Sequence, residues 1–117
     1  MAERSLSELS QLLKQFAQER DWEQFHSPKN LAMALIVEAA ELVEHFQWLT
    51  EPDSEALADD KYKEVAYEMA DIFIYLLRMA ERLTVDLMQV VDEKMKLNAE
   101  KYPADKVRGS SKKYNEY

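Results

Sequence analysis

The chain has no cysteine, one glycine (Gly109) and three prolines in 117 residues. Zero cysteine removes disulfides, thiol nucleophiles and cysteine-ligated zinc together, and makes the cytoplasm the default compartment. So few glycines and prolines leave few helix breakers, and helices are expected to dominate. A single glycine also rules out the glycine-rich phosphate loop of P-loop proteins. Long hydrophobic runs are missing too. Leu31–Val37 is the longest and is far too short to span a membrane. The N-terminal stretch MAERSLSELS has no apolar core of a signal peptide. Basic residues are in the minority, 15 Lys and Arg against 23 Asp and Glu, for a formal net charge of −8. That balance disfavours binding to long nucleic acid, where basic contacts supply most of the affinity. It suits a site that gathers divalent cations.

What remains is 47% hydrophobic and 32% charged, the profile of one globular domain over residues 1–117. Leu6–Arg20 carries a one-sided apolar stripe, with Ser5 or Ser7 as cap and Glu8 placed for a capping box. Asp21–Ser27 breaks the pattern and reads as a loop. Its Trp22, Phe25 and His26 either plug the end of the bundle or form a stacking wall for a flat ligand. Ser27-Pro28 starts a second helix that runs to about Trp48. Positions 31, 35, 38, 42, 45 and 49 form a seam in which Glu38 and His45 intrude among leucines. Thr50–Asp60 is acidic, contains Pro52 and reads as a connection. A third helix is expected over about Lys61–Leu83. Val65, Met69, Ile72, Leu76, Met79 and Leu83 make an unbroken heptad seam there. Glu68, Asp71, Tyr75 and Arg78 lie on a neighbouring stripe. Thr84 or Asp86 caps a fourth helix that ends near Tyr102-Pro103 and carries Lys94, Asn98 and Lys101 along one line. Residues 104–117 read as a tail.

Two carboxylate pairs stand out from this pattern. Glu38-x-x-Glu41 and Glu68-x-x-Asp71 each sit in a strongly apolar helix. An i, i+3 pair shares one helix face. Both pairs stand at comparable distances from the connection, so an antiparallel hairpin brings them face to face across about 8–10 Å. Four carboxylates there raise one another's pKa unless a cation joins them. All-oxygen donors suit Mg²⁺, Mn²⁺ or Ca²⁺ rather than zinc. Mg²⁺ takes substrate phosphates as further ligands, which points to metal-assisted phosphate chemistry. A di-iron bundle needs Glu-x-x-His pairs on two helices, and the two histidines do not supply them on helices. The competing reading from a different class is a non-catalytic helical module that binds a cation or a basic partner.

The chain resembles the MazG-like, all-α nucleoside triphosphate pyrophosphohydrolase superfamily, defined by its E-x-x-E…E-x-x-D signature, and within it the dCTP pyrophosphatase branch. The likeness lies in RDWEQFHSPKNL (Arg20–Leu31), in E-x-x-E-L-x-E-x-F-Q-W ending at Trp48, and in Glu68-x-x-Asp71 to Tyr75. Lys94…Asn98…Tyr102-Pro103 and Arg108-Gly109-Ser110 extend it. The resemblance implies a four-helix bundle-like subunit that hydrolyses a (deoxy)nucleoside triphosphate to monophosphate and pyrophosphate, cleansing the nucleotide pool. It implies Mg²⁺, replaceable by Mn²⁺, held by Glu38, Glu41, Glu68 and Asp71. Glu38 or Glu41 would handle the attacking water. Trp22, His26, Trp48, Tyr75, Lys94, Asn98, Lys101 and Tyr102 would contact substrate, with Lys101 standing where relatives often carry Arg. It also implies a homo-oligomer, commonly a tetramer built as a dimer of dimers.

Overall fold

The computed structural model describes residues 3–110, which contain helices, turns and loops and no strand. The all-α expectation therefore holds. Four longer helices are α1 (Leu6–Glu19), α2 (Pro28–Phe46), α4 (Asp59–Leu83) and α5 (Leu87–Lys101). Two single-turn helices, α3 (Glu51–Ser54) and α6 (Ala104–Val107), lie between and after them. The chain forms two compact units, one through Thr84 and one from Val85 onward.

Local side chains set most helix starts. Ser5 Oγ accepts from the Glu8 N–H at 3.1 Å and caps α1. Ser27 Oγ accepts from the Asn30 N–H at 3.1 Å, with Pro28 in the first turn of α2. Asp86 Oδ1 accepts from the Gln89 N–H at 3.2 Å and caps α5. Each cap satisfies a backbone donor that the helix itself leaves free.

The boundaries differ from expectation where caps compete. α2 stops at Phe46 rather than Trp48, because Thr50 turns extended (φ −73°, ψ 164°) to cap α3. Its Oγ1 accepts from the Asp53 N–H at 3.2 Å. The segment expected as a plain connection thus holds a helical turn. α4 begins at Asp59, two residues early, since Asp59 and Asp60 suit the positive end of the helix dipole. The expected loop at 21–27 holds a 3₁₀ turn, Glu23–Phe25, entered through Asp21 at φ 53°. Residues 104–107 form α6 rather than tail, and the tail beyond 110 lies outside the described residues.

In the first unit α2 packs antiparallel on α4, and α1 packs more lightly on α4. The antiparallel sense follows from the contacts: Glu38 lies by Glu68, whereas His45 reaches back to Lys61 and Glu64. Leu31, Leu35, Glu38, Leu42 and His45 of the α2 seam are all at least half-buried. The α4 heptad seam is only half inward. Its Val65, Ile72 and Met79 are wholly or partly buried but its Met69, Leu76 and Leu83 are exposed, and Glu68, Tyr75 and Arg78 of the neighbouring stripe are wholly or partly buried beside them. Between Met69 and Leu77 every α4 residue but Asp71 is apolar or aromatic, so this stretch has no unique apolar face. One neighbouring helix covers one face, and here the covered face takes Glu68 and Tyr75 together with Val65 and Ile72 and leaves Asp71 exposed.

The buried apolar set is small: Ala17, Leu31, Val65, Leu77 and Ala80. Met33, Ile36, Val37, Val43, Met69 and Phe73 lie open on the same unit. At the end of α4, Thr84 adopts φ 56°, ψ 47°, and its N–H bonds back to the Ala80 and Glu81 carbonyls. A β-branched residue is costly in the left-handed region, where glycine is at ease. Thr84→Gly is therefore expected to stabilise the protein by about 0.5–1 kcal/mol, read as a higher urea midpoint. A lowered midpoint would show that the threonine side chain offsets its own strain.

Candidate active site

α2 offers Glu38 and Glu41, and α4 offers Glu68, from facing turns of the antiparallel pair. One carboxylate oxygen from each of these three residues lies within 4.8 Å of the others. All three residues are half-buried. Asp71, the fourth member expected from spacing, is exposed, one turn beyond Glu68. Its charge still acts on Glu38 and on Tyr75. Glu38 Oε2 and Glu68 Oε2 are buried, and neither has a hydrogen-bond partner.

Such crowding moves a proton. Glu38 is pushed up to about 7, chiefly by Glu68, with which it would share that proton, and then by burial and by Glu41 and Asp71. Tyr75 is raised by burial and by the charges of Glu38, Asp71 and Glu41. The donor set fits a hard divalent cation. It is all oxygen, it converges on one point, and its buried lone pairs are unsatisfied. Glu38, Glu41 and Glu68 are the residues able to hold such an ion, with Asp71 one turn away.

His45 is a neighbour of this group that the sequence marked only as an intrusion in the seam. Its Nδ1 lies 3.2 Å from Lys61 Nζ and 3.8 Å from Glu64 Oε2, and its Nε2 lies 3.9 Å from Glu68 Oε1. An ammonium donating to Nδ1 places the ring proton on Nε2, toward Glu68. The pointer was in the sequence, since His45 stands seven residues after Glu38 on the same seam.

The aromatic candidates lie elsewhere on the first unit. Trp22 is 44% exposed and Phe25 59%, so neither plugs a core. Trp22 meets the edge of Phe16 at 5.8 Å and His26 at 6.3 Å between ring centroids. Arg20 stacks on Phe16, 3.5 Å from the ring centre. His26 Nδ1 is buried without a partner, and burial followed by the Arg78 and Arg82 charges lowers its pKa. Trp48, just past α2, is 88% exposed. Lys94, Asn98, Lys101 and Tyr102 belong to the second unit, where Lys94, Asn98 and Lys101 are exposed and Tyr102 is half-buried.

One buried cation escaped notice in the sequence except as a member of the α4 stripe. Arg78 is 2% exposed, and its guanidinium meets Glu81 Oε2 at 3.2 Å and Glu23 Oε1 at 3.5 Å. No local pattern links Glu23 to a residue 55 positions away.

The Glu38 proton makes the fold pH-dependent. Its folded pKa of about 7 lies above the ordinary 4.5, so the folded state holds the extra proton. That stabilisation is complete below about pH 4.5 and is lost as pH rises through about 7. In chelator, the thermal midpoint is expected to fall between about pH 5 and pH 8, and Glu38→Gln should flatten the fall. Parallel curves for the two proteins would place the shared proton elsewhere.

Residues 33–117 match the MazG-like family. The chain is 44% identical to dCTP pyrophosphatase 1 of Homo sapiens, over 97% of this chain and 68% of that protein. It is also 44% identical to the Bos taurus protein of the same name, over 98% of this chain and 69% of that one. Among solved structures, a pyrophosphatase from Archaeoglobus fulgidus superposes with a TM-score of 0.81 at 35% identity, covering 88% of this chain and 96% of that one. The carboxylates paired across α2 and α4 are thus those of a chain that belongs to the MazG-like family.

Proposed function

We propose that this protein hydrolyses a (deoxy)nucleoside triphosphate, dCTP or a related or modified nucleotide, to the monophosphate and pyrophosphate. The observation that carries this reading is the convergence of Glu38, Glu41 and Glu68 on one point between α2 and α4. The dCTP pyrophosphatase 1 relatives and the pyrophosphatase neighbour support the same chemistry. The family match runs across the boundary at Thr84, which supports treating both units as one pyrophosphohydrolase domain.

In this reading Glu41, Glu68 and Asp71, with Glu38, hold a divalent cation, Mg²⁺ or in its place Mn²⁺. When bound, such an ion supplies charge neutralisation for the triphosphate and acidifies water. The protein's own groups do the positioning. Glu38 or Glu41, on the α2 face of the group, orients the attacking water and takes its proton. Tyr75 lines the acidic face. Its raised pKa keeps the phenol a neutral hydrogen-bond donor. Trp22 offers open aromatic surface for a base, with a buried His26 nitrogen beside it, and Trp48, at the opposite end of α2, would serve a base held with a neighbouring copy of the chain. Lys94, Asn98, Lys101 and Tyr102 are assigned to phosphate, sugar or base. Holding phosphate and water in line provides most of the acceleration in such displacements.

The open apolar faces of α2 and α4 favour a homo-oligomer, a dimer of dimers in which copies cover Met33, Ile36, Val37, Met69 and Phe73. Sedimentation equilibrium should then give a multiple of the 13.8 kDa chain mass.

Pyrophosphate release from a panel of canonical and modified nucleoside triphosphates tests the reaction, with Mg²⁺ and with chelator. Metal-dependent release is expected, with dCTP or a modified relative leading the panel. Glu41→Gln and Asp71→Asn should each lower turnover by at least about 10²-fold while circular dichroism stays helical. Undiminished turnover in both variants would remove the acidic group from the chemistry.

A further inference from the structure

Arg78 occupies an unusual place. A guanidinium that is 3% exposed has given up its hydration, which is tolerated only with well-placed partners. Its two terminal nitrogens divide between elements. One meets Glu81, on the next turn of α4, and the other meets Glu23, which opens the 3₁₀ turn between α1 and α2. Glu81 is itself held by Lys14 of α1, Nζ to Oε1 at 3.3 Å. A rigid fork reaches two carboxylates on different elements at once, which the point charge of lysine does not.

The Glu23 contact matters because of what the turn carries. Trp22 precedes Glu23 and His26 closes the turn. The turn's other hydrogen bonds run to neighbours within five residues: Trp22 N–H to the Ala17 carbonyl, His26 N–H to that of Glu23, and Asn30 Nδ2 to that of Phe25. Those bonds tie the turn to its flanking helices and reach α4 only through them. The Arg78–Glu23 contact ties it to α4 directly. Arg78 lies on the helix that presents Glu68 and Asp71, seven residues or about two turns past the aspartate. One helix therefore carries both the acidic group and the anchor of the aromatic turn.

We propose that Arg78 is a positioning residue: its buried guanidinium holds Glu23 and so fixes the Trp22–His26 turn at a set distance from Glu68 and Asp71. This rests on the hydrolase reading above, with Trp22 and His26 on the base side of the substrate. The pair sets how well the base is bound and leaves the acidic group's chemistry alone.

Replacing Arg78 itself would strand two carboxylates, so the test uses its half-buried partners. Glu23→Ala cuts the tie to the turn and leaves Arg78 bound to Glu81. Glu81→Ala removes Arg78's shorter contact and Lys14's, without touching the turn. Both variants are expected to melt earlier than the parent. Glu23→Ala should also raise KM for the best nucleotide about five- to tenfold at nearly unchanged kcat, whereas Glu81→Ala keeps the parental KM. A parental KM in folded Glu23→Ala, or equal KM rises in both variants, overturns the proposal. Absence of pyrophosphate release from the parent itself overturns instead the hydrolase reading beneath it.

Discussion

Like charges forced together between α2 and α4 are the constraint on which the first unit turns. Helical spacing puts each carboxylate pair on one face, and antiparallel packing sets Glu38 and Glu41 against Glu68. The result is a strongly acidic group at the contact between the two main helices, in which Glu38 Oε2 and Glu68 Oε2 are buried without a hydrogen-bond partner among the described residues. Hydrophobic burial around it is slight, resting on Leu31, Val65 and a few smaller contacts. A helix pair optimised for its own stability would place leucine at these positions. Tolerance of the acidic group, together with Tyr75 and His45 beside it, separates this pair from a purely structural hairpin.

Apolar surface tells a complementary story. The helices are apolar on more faces than one neighbour can cover, and the uncovered faces hold large side chains such as Ile36, Val43 and Phe73. Polar groups on α4 turn inward while half of its heptad seam turns outward. In an isolated subunit that arrangement is costly. It becomes economical when the outward seam meets further helices, because the acidic stripe and the seam then serve different neighbours.

Much of this was legible in the sequence wherever the governing interactions are local. Ser5, Ser27 and Asp86 announce helix starts because a cap acts within three residues. The two acidic pairs announce themselves because i, i+3 spacing is a property of one helix. Legibility ends where choice depends on distant partners. Nothing within α4 says which of its apolar faces α2 will take. Thr84 carries no local mark of a left-handed backbone, a role for which glycine would have been the signal. Thr50 and Asp53 did spell a cap for α3, but Pro52 and the acidic run masked it as loop. Arg78 reads as a polar residue on an acidic stripe until Glu23, far away in sequence, is brought alongside.

The antiparallel pair also says where the chain can change length. Between Asp71 and Arg78 the spacing is enforced by helix geometry, since one inserted residue would rotate everything beyond it by about 100° and advance it by about 1.5 Å. Such an insertion would swing the guanidinium off Glu23 while leaving the carboxylates in place. The segment joining α2 to α4 has no such ruler. Its α3 turn is exposed except for a half-buried Ser54, and it sits at the far side of the acidic pairs from the Trp22 turn. Insertions and deletions compatible with the fold therefore belong at residues 50–58, and the helical stretch 68–78 is fixed in length.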